Sequence, residues 1–436
     1  MLEKLGRAIL KIFFREIVIE GPDRLPAHGP VIFTPNHPNL LIDPLLIWFL
    51  APSRRIRFVA KAALFDIPIL GWIMRRLRTV PVTRRMDAAG QVDYTVFFAT
   101  CVETLAGGDS LVIFPEGRSL PQPTMAPLRT GPARIFFLAH EKGVKANIVP
   151  VGLNYEHGAV FRSSVLVSVA APIDTRTFER THGASPAEAV RDLTGEIGRS
   201  LEHHLFQAET FRDRKLMLLV ERLYAGEATG GWAERVPRLK EFERGLTRLR
   251  KSHPKEIENL RRLLASYERL SAAYSIEEGV DRGEGRGGVR STVIGVGGML
   301  VAGLGWLINW VPYRACALLV KRTGLNRADA ATYKIVYSSV LFPLAYLAEG
   351  ALIEHWAGWT ATALFAVTVG PLTYFTLRFF EWRGEIAGRS RKASAWFTGP
   401  LGRHAARRLS QLRERIVAEV ERLAAHLEPE TDAEKG

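Results

Sequence analysis

The chain has 436 residues, 47 % hydrophobic and 24 % charged, so it can bury a large core and is not disordered as a whole. Lysine and arginine outnumber acids 59 to 45, a formal net charge of +14 that favours nucleic acid, anionic lipid or phosphorylated substrates as partners. With only Cys101 and Cys316, neither a disulfide framework nor a thiolate zinc site is expected, and the cytosolic side is preferred.

At the N-terminus Glu3, Lys4, Arg7, Lys11 and Arg15 interrupt the apolar pattern, so no secretory signal is expected. At about 100° per residue Leu2, Leu5, Ile9, Ile12 and Phe13 share one side, with Lys4, Arg7, Lys11 and Arg15 opposite. This predicts an amphipathic helix over residues 1–20, lying flat on anionic lipid or packed on its own domain.

Between about residues 28 and 172, short apolar runs alternate with helical stretches. Val31–Thr34, Arg57–Val59, Thr79–Val82, Ser110–Phe114, Asn147–Val151 and Val165–Val169 are expected strands. Pro44–Leu50, Ile69–Arg76, Tyr94–Leu105 and Pro132–Lys142 are expected helices, which gives an α/β fold with βαβ crossovers. Pro186–Tyr224 has a helical composition. His203 and His204 fall there without a carboxylate or thiolate at metal spacing, so they are expected on the surface and no metal is expected. Residues 236–273, broken at Pro254, predict an antiparallel helical pair. Gly283–Gly288 fits a dinucleotide fingerprint only formally: no strand precedes it, and the surrounding charge and glycine mark a linker.

Three segments then have transmembrane character. Ser291–Tyr313 and Trp356–Leu377 carry no charge, and Ile335–Ile353 carries only Glu349. About twenty apolar residues cross a hydrocarbon core, and Trp306, Trp310, Tyr313, Trp356, Trp359 and Tyr374 suit the interfaces. Basic residues cluster before the second segment and after the third, so these two are expected as a hairpin entered from the cytoplasm. The first has positive flanks on both sides and either spans or dips in and returns. Leu409, Leu412, Ile416, Val420, Leu423 and Leu427 mark a C-terminal amphipathic helix, preferred as a bundle helix. Basic residues accompany membrane signals instead of aromatic-bearing motifs, so nucleic acid is not expected as a partner.

Chemistry concentrates in two blocks, Asn36–Asp43 and Phe114–Ser119. Pro35 ends a strand, which puts His37 at a carboxyl end, where open α/β sheets bind ligands. A neutral imidazole there can take a proton from an alcohol, and Asp43 can fix its tautomer. Gly117 permits close backbone approach, and Arg118 and Arg84 can grip phosphate bidentately. Glu116 is expected to orient an arginine or the acceptor hydroxyl. No Walker loop and no Gly-x-Ser-x-Gly elbow is present.

These blocks resemble the glycerolipid acyltransferase superfamily, whose members acylate glycerol 3-phosphate or lysophosphatidic acid. The family's first block is a histidine, four residues and an aspartate; here five residues separate His37 from Asp43, a variant similar to fungal-type glycerol 3-phosphate acyltransferases. Lys61–Phe65 with Pro68, Gly71 and Trp72, then Thr79–Arg84, Phe114–Ser119, Leu128–Gly131 and Ile148–Val151 follow in the family's order. Gly152–Tyr155 and Phe161–Ser163 extend the likeness, which covers about residues 1–210.

The resemblance implies a glycerol-3-phosphate-acyltransferase-like, mostly parallel sheet flanked by helices, followed by a helical region and a C-terminal transmembrane helical domain. It implies His37 and Asp43 as catalytic residues, with Lys61, Arg84, Glu116, Gly117, Arg118 and Arg129 binding substrate; a backbone amide near Gly117, or a neighbouring donor, is expected to meet the oxyanion. It implies acyl-CoA or acyl-ACP as co-substrate, a glycerol phosphate acceptor, no cofactor, and a place in phospholipid biosynthesis. Localisation at the inner cell membrane, catalytic side in the cytoplasm, is expected. The alternatives are a lysophospholipid-remodelling acyltransferase and a non-catalytic scaffold. The division expected is a surface helix at 1–20, an acyltransferase domain at 21–210, a helical hairpin and linker at 211–288, membrane helices at 289–380 and a C-terminal helix at 381–436.

Overall fold

The structure is a computed structural model that describes residues 2–66, 68–83, 91–120, 122–158, 160–225, 230–274, 289–322, 327–397 and 399–427. Two compact units emerge. The first comprises Met1–Phe211, Trp232–Lys240 and Asn326–Thr332; the second comprises Arg212–Gly231, Glu241–Leu325 and Tyr333–Gly436.

The first unit is built on a seven-stranded sheet. Its strands are β1 (Glu16–Glu20), β2 (Val31–Pro35), β3 (Ile56–Lys61), β4 (Val80–Val82), β5 (Ser110–Val112), β6 (Asn147–Tyr155) and β7 (Ser164–Val169), in the order β1-β7-β6-β2-β5-β3-β4. Every pairing is parallel except β6 with β7. Central parallel strands are covered on both faces, which is why β2 is an unbroken apolar run with Val31, Ile32 and Phe33 wholly buried. Each such side chain contributes roughly 1.5–3 kcal/mol of burial. The helices are α1 (Leu2–Phe13), α2 (Ile42–Leu50), α3 (Pro68–Arg76), α4 (Thr95–Ala106), α5 (Gly131–Glu141), α6 (Arg176–Ala184) and α7 (Pro186–His204). Cys101 and Leu105 of α4, Ile135 and Phe136 of α5, and Leu193, Ile197 and Leu201 of α7 pack into one core with Ile32, Leu111 and Ile148 of the sheet.

Several sequence expectations need correction here. The N-terminal helix stops at Phe13, because Glu16-Ile17-Val18-Ile19-Glu20 is β-branched and alternating and pairs in parallel with Ser164–Ser168 of β7. The buried face of α1 is also turned from the expected one: Leu10 and Phe13 are buried and Gly6 packs on Leu45 of α2, whereas Ile12 is exposed. The helix expected over Pro186–Tyr224 is two, α7 and α8 (Phe211–Ala225). Asn154 makes the break: its Nδ2 donates to His204 O at 2.8 Å and its Oδ1 accepts from Phe206 N at 2.7 Å. His203 is exposed, but His204 is half-buried, with Nδ1 2.8 Å from Ser200 O.

In the second unit, the part of α9 (Trp232–Ser252) from Glu241 onward, α10 (Pro254–Tyr274) and α13 (Gly399–Ala425) complete the helical set with α8. Leu249, Ile257, Leu260, Leu264 and Tyr267 share a core with Val220 and Leu223 of α8 and Leu409, Ile416 and Leu423 of α13. The expected two-helix hairpin is therefore part of a four-helix cluster. Asp213, 2 % exposed, is held by Arg250 and Arg261, each at 2.8 Å.

The apolar segments form α11 (Val289–Arg322) and α12 (Arg327–Phe397), and α12 is broken at Gly358, where φ is 78° and ψ 173°. Tyr346 and Thr373 are 27 positions apart, about 40 Å along a straight helix, yet their hydroxyls lie 3.2 Å apart. The chain therefore doubles back at Gly358. Among the described residues one helix, Thr332–Glu381, is long and apolar enough to cross a membrane, and only 11 % of its apolar window is buried. The first expected segment forms α11 but does not meet that test. Asn309 of α11 bonds Tyr346 at 2.6 Å and Thr373 at 3.0 Å, on the arms below the Gly358 break.

Candidate active site

The sequence blocks converge because of strand direction. β2, β5, β3 and β4 run parallel as neighbours, so the segments that leave their carboxyl ends gather along one edge of the sheet. His37 follows β2, Phe114–Ser119 follows β5 and Lys61 ends β3. β4 ends at Val82, two positions before Arg84, which lies outside the described residues.

His37 Nδ1 lies 2.8 Å from Asp43 Oδ2, although five residues separate the two. Within the turn Leu40 has a φ of 33°, unusual for a residue with a side chain. An ionised carboxylate only accepts, so in the neutral imidazole this contact places the proton on Nδ1 and leaves the lone pair on Nε2. The ring stacks on Phe114 with centroids 3.8 Å apart and planes 18° apart. Its side chain is 14 % exposed and that of Asp43 not at all, so the imidazole, not its partner, is open to a reactant.

Asp43 is held by more than the imidazole. Its Oδ2 also accepts from Asn39 N at 2.7 Å, and its Oδ1 accepts from the hydroxyl of Tyr155 at the end of β6. Burial first, and then the negative charge of Asp43, pushes the Tyr155 hydroxyl well above its ordinary range, so it remains a donor. Asn39 Nδ2 donates to Gly158 O at 2.8 Å and steadies the turn from the far side. The sequence does not assign Tyr155 a role: it lies 112 positions from Asp43, and its only signal is the likeness around Gly152–Tyr155.

Glu116 is 6 % exposed and clasps two backbones, accepting from His37 N at 2.7 Å and from Ala126 N at 3.0 Å. Burial raises its carboxyl from the ordinary range, and the two amide donors work against that. In this geometry each of its oxygens accepts one backbone amide, so Glu116 holds the histidine turn. Gly117 has φ 69°, and a Cβ there would lie 3.4 Å from Arg129 Cγ. Its own amide donates to Phe114 O at 3.1 Å, which leaves the expected alternative, a neighbouring donor, for an oxyanion. Arg118 and Arg129 are exposed, and Arg129 N is anchored to Pro115 O at 2.7 Å. The structure thus joins His37, Asp43 and Glu116 in one network with Gly117, Arg118 and Arg129 beside it; Lys61 lies two strands from β2.

A cavity of about 600 Å³ is lined by Arg57, Arg78, Thr79, Glu103 and Asp109, near the amino end of β5. It includes neither His37 nor Asp43. Among the described residues no group of three or more His, Cys, Asp or Glu is placed to hold a metal.

A buried carboxylate fixes a partly exposed imidazole at the carboxyl edge of a mostly parallel sheet, an arrangement chemically able to take a proton from an alcohol. Residues 16–154 match the acyltransferase family model and form an acyltransferase-family domain. Over 211 residues the chain is 32 % identical to the chloroplastic 1-acyl-sn-glycerol-3-phosphate acyltransferase LPAT1 of Arabidopsis thaliana, covering 46 % of this chain and 53 % of that one. It is 23 % identical to glycerol-3-phosphate O-acyltransferase 1 of Saccharomyces cerevisiae, covering 50 % and 40 %. The crystal structure of the 1-acyl-sn-glycerophosphate acyltransferase PlsC of Thermotoga maritima is similar at 24 % identity with a TM-score of 0.35, covering 46 % of this chain and 77 % of that one. The chain spans about half the length of the curated relatives it matches.

Proposed function

We propose that the protein is a membrane-bound O-acyltransferase that moves a fatty acyl group from acyl-CoA or acyl-ACP to a hydroxyl of glycerol 3-phosphate or 1-acyl-glycerol 3-phosphate. The observation that carries this is the 2.8 Å His37–Asp43 contact at the carboxyl end of β2, inside the residues that match the acyltransferase family. Nε2 of His37 takes the proton as the acceptor oxygen attacks the thioester carbonyl. The tetrahedral intermediate collapses, the C–S bond breaks, and the thiolate recovers the proton from the imidazolium. An ester and a free thiol result, and His37 is neutral again. Asp43 holds the ring and stabilises its charged form; such general-base action contributes about 10²- to 10⁴-fold.

Arg118, Arg129, Lys61 and Arg84 supply cationic donors for the acceptor's phosphate and for the phosphates of a CoA donor. Glu116 acts as the clasp of the turn, and Gly117 keeps the approach open. The exposed apolar surface of Thr332–Glu381 supports a membrane location, with the site facing the cytoplasm as the flanking basic residues suggest. The division into an N-terminal surface helix, an acyltransferase domain up to residue 210, a helical part at 211–288, membrane helices at 289–380 and a C-terminal helix at 381–436 belongs to this reading, with Glu16–Glu20 counted in the sheet domain because β1 pairs with β7.

The test incubates the full chain with labelled acyl-CoA and, separately, glycerol 3-phosphate, dihydroxyacetone phosphate and lysophosphatidic acid. Transfer is expected to one of these, with His37→Ala reduced about 10²- to 10⁴-fold. Folded wild-type protein that acylates none of them overturns the reading in favour of a scaffold.

A further inference from the structure

The turn from His37 to Asp43 is one residue longer than the spacing of the family it resembles, and each added residue brings an amide that needs an acceptor once buried. Its amides can be followed one at a time. His37 N donates to Glu116 at 2.7 Å, Asn39 N to Asp43 at 2.7 Å, Leu40 N to Ser119 Oγ at 2.9 Å and Ile42 N to Asn39 O at 2.9 Å. Pro38 has no amide proton. Leu41 N donates to Thr332 Oγ1 at 3.1 Å.

Thr332 is remote in sequence, 291 positions away, and is 7 % exposed. It belongs to the same compact unit as the sheet. We propose that Thr332 is a positioning residue of the catalytic turn: by accepting the Leu41 amide it keeps His37 and Asp43 in register for proton abstraction. This rests on the acyltransferase reading above.

The geometry gives the hydroxyl something to hold. Leu40 has φ 33°, a conformation that persists only when its surroundings impose it. Ser119 holds the Leu40 amide and Thr332 the next one, so the unusual residue is pinned on both sides. With the second acceptor gone, Leu40 relaxes towards negative φ, and Asp43, three residues on, shifts against the imidazole. A misplacement of about 1 Å in a catalytic group costs on the order of 10²-fold in rate.

The test compares wild type with Thr332→Val, which keeps the shape and loses the acceptor, and Thr332→Ser, which keeps the acceptor. Steady-state kinetics across pH are measured on the full-length proteins, together with hydrogen exchange of the 37–43 segment. Thr332→Val is expected to lose about 10- to 10²-fold in kcat, with KM for donor and acceptor unchanged and the kcat–pH profile displaced. Thr332→Ser is expected within about twofold of wild type, and the segment to exchange faster in the valine variant only. Kinetics and pH profile like wild type in Thr332→Val, or equal loss in Val and Ser, overturn the proposal. Wild type without turnover defeats the acyltransferase reading instead. Exchange then decides the positioning: protection of 37–43 unchanged in Thr332→Val overturns it, and should valine prevent folding, Thr332→Ala against Thr332→Ser is compared in the same way.

Discussion

Asp43 has no solvent exposure and accepts from His37, Asn39 and Tyr155, so its charge is dispersed over three donors while it fixes the ring. A buried acceptor that loses one donor costs about 1–3 kcal/mol. Tyr155→Phe removes the hydroxyl and little else. It is expected to lower stability by about that amount and kcat by roughly tenfold as the carboxylate turns, leaving KM for both substrates near wild type. Denaturant midpoints and kinetics on the same preparation check this; a variant with full kcat would show that Asn39 alone suffices to aim Asp43. His37 and Asp43 were legible in the sequence because they sit on one turn after one strand. Tyr155 was not, because its meeting with Asp43 is made by the β2–β6 pairing, in which Val31–Pro35 lie against Asn147–Val151. Glu116 was legible as a site residue, but its clasp on His37 N depends on a loop closure that residue order does not reveal.

At the scale of elements, the central strands were legible because strands covered on both faces become continuous apolar runs. The short β1 was missed because tertiary pairing with β7 overrides a charged helical pattern that seemed to run on from α1. The break between α7 and α8 was equally hidden, since it is imposed by Asn154 from the sheet. That junction titrates. Burial holds the His204 imidazole below its ordinary value of 6.5. The unfolded chain therefore takes up this proton first as pH falls through about 6.5, and the folded state loses stability from there down to the lower folded-state pKa. His204→Gln keeps a donor for Ser200 O without titrating. Its urea midpoint is expected to decline less than that of wild type as pH falls below about 6.5; parallel declines would remove His204 from the account.

For the whole molecule, the decisive feature is the fold-back of α12. From Thr332 to Gly358 a helix extends about 39 Å and from Gly358 to Glu381 about 35 Å, each more than the roughly 30 Å of a hydrocarbon core. The two arms were legible because charge is nearly absent from them. The place of the break was not, since it depends on one glycine with φ 78° beyond the polar Glu354-His355 pair. Leu347 and Val367, 71 % and 74 % exposed, sit near mid-length of the arms, within an apolar stretch of which only 11 % is buried. In a bilayer the same positions face acyl chains. A charged side chain at such a depth costs about 2.5–3.5 kcal/mol on insertion scales. Wild-type protein in native membranes is therefore expected to resist alkaline carbonate, whereas Leu347→Asp with Val367→Asp is expected to shift a substantial fraction into the supernatant. Both positions lie outside the catalytic turn, so the extracted double variant should keep its turnover in detergent. Complete release of wild type by carbonate would make the hairpin a surface attachment and would remove the membrane-spanning part of the proposal, while the general-base site would stand.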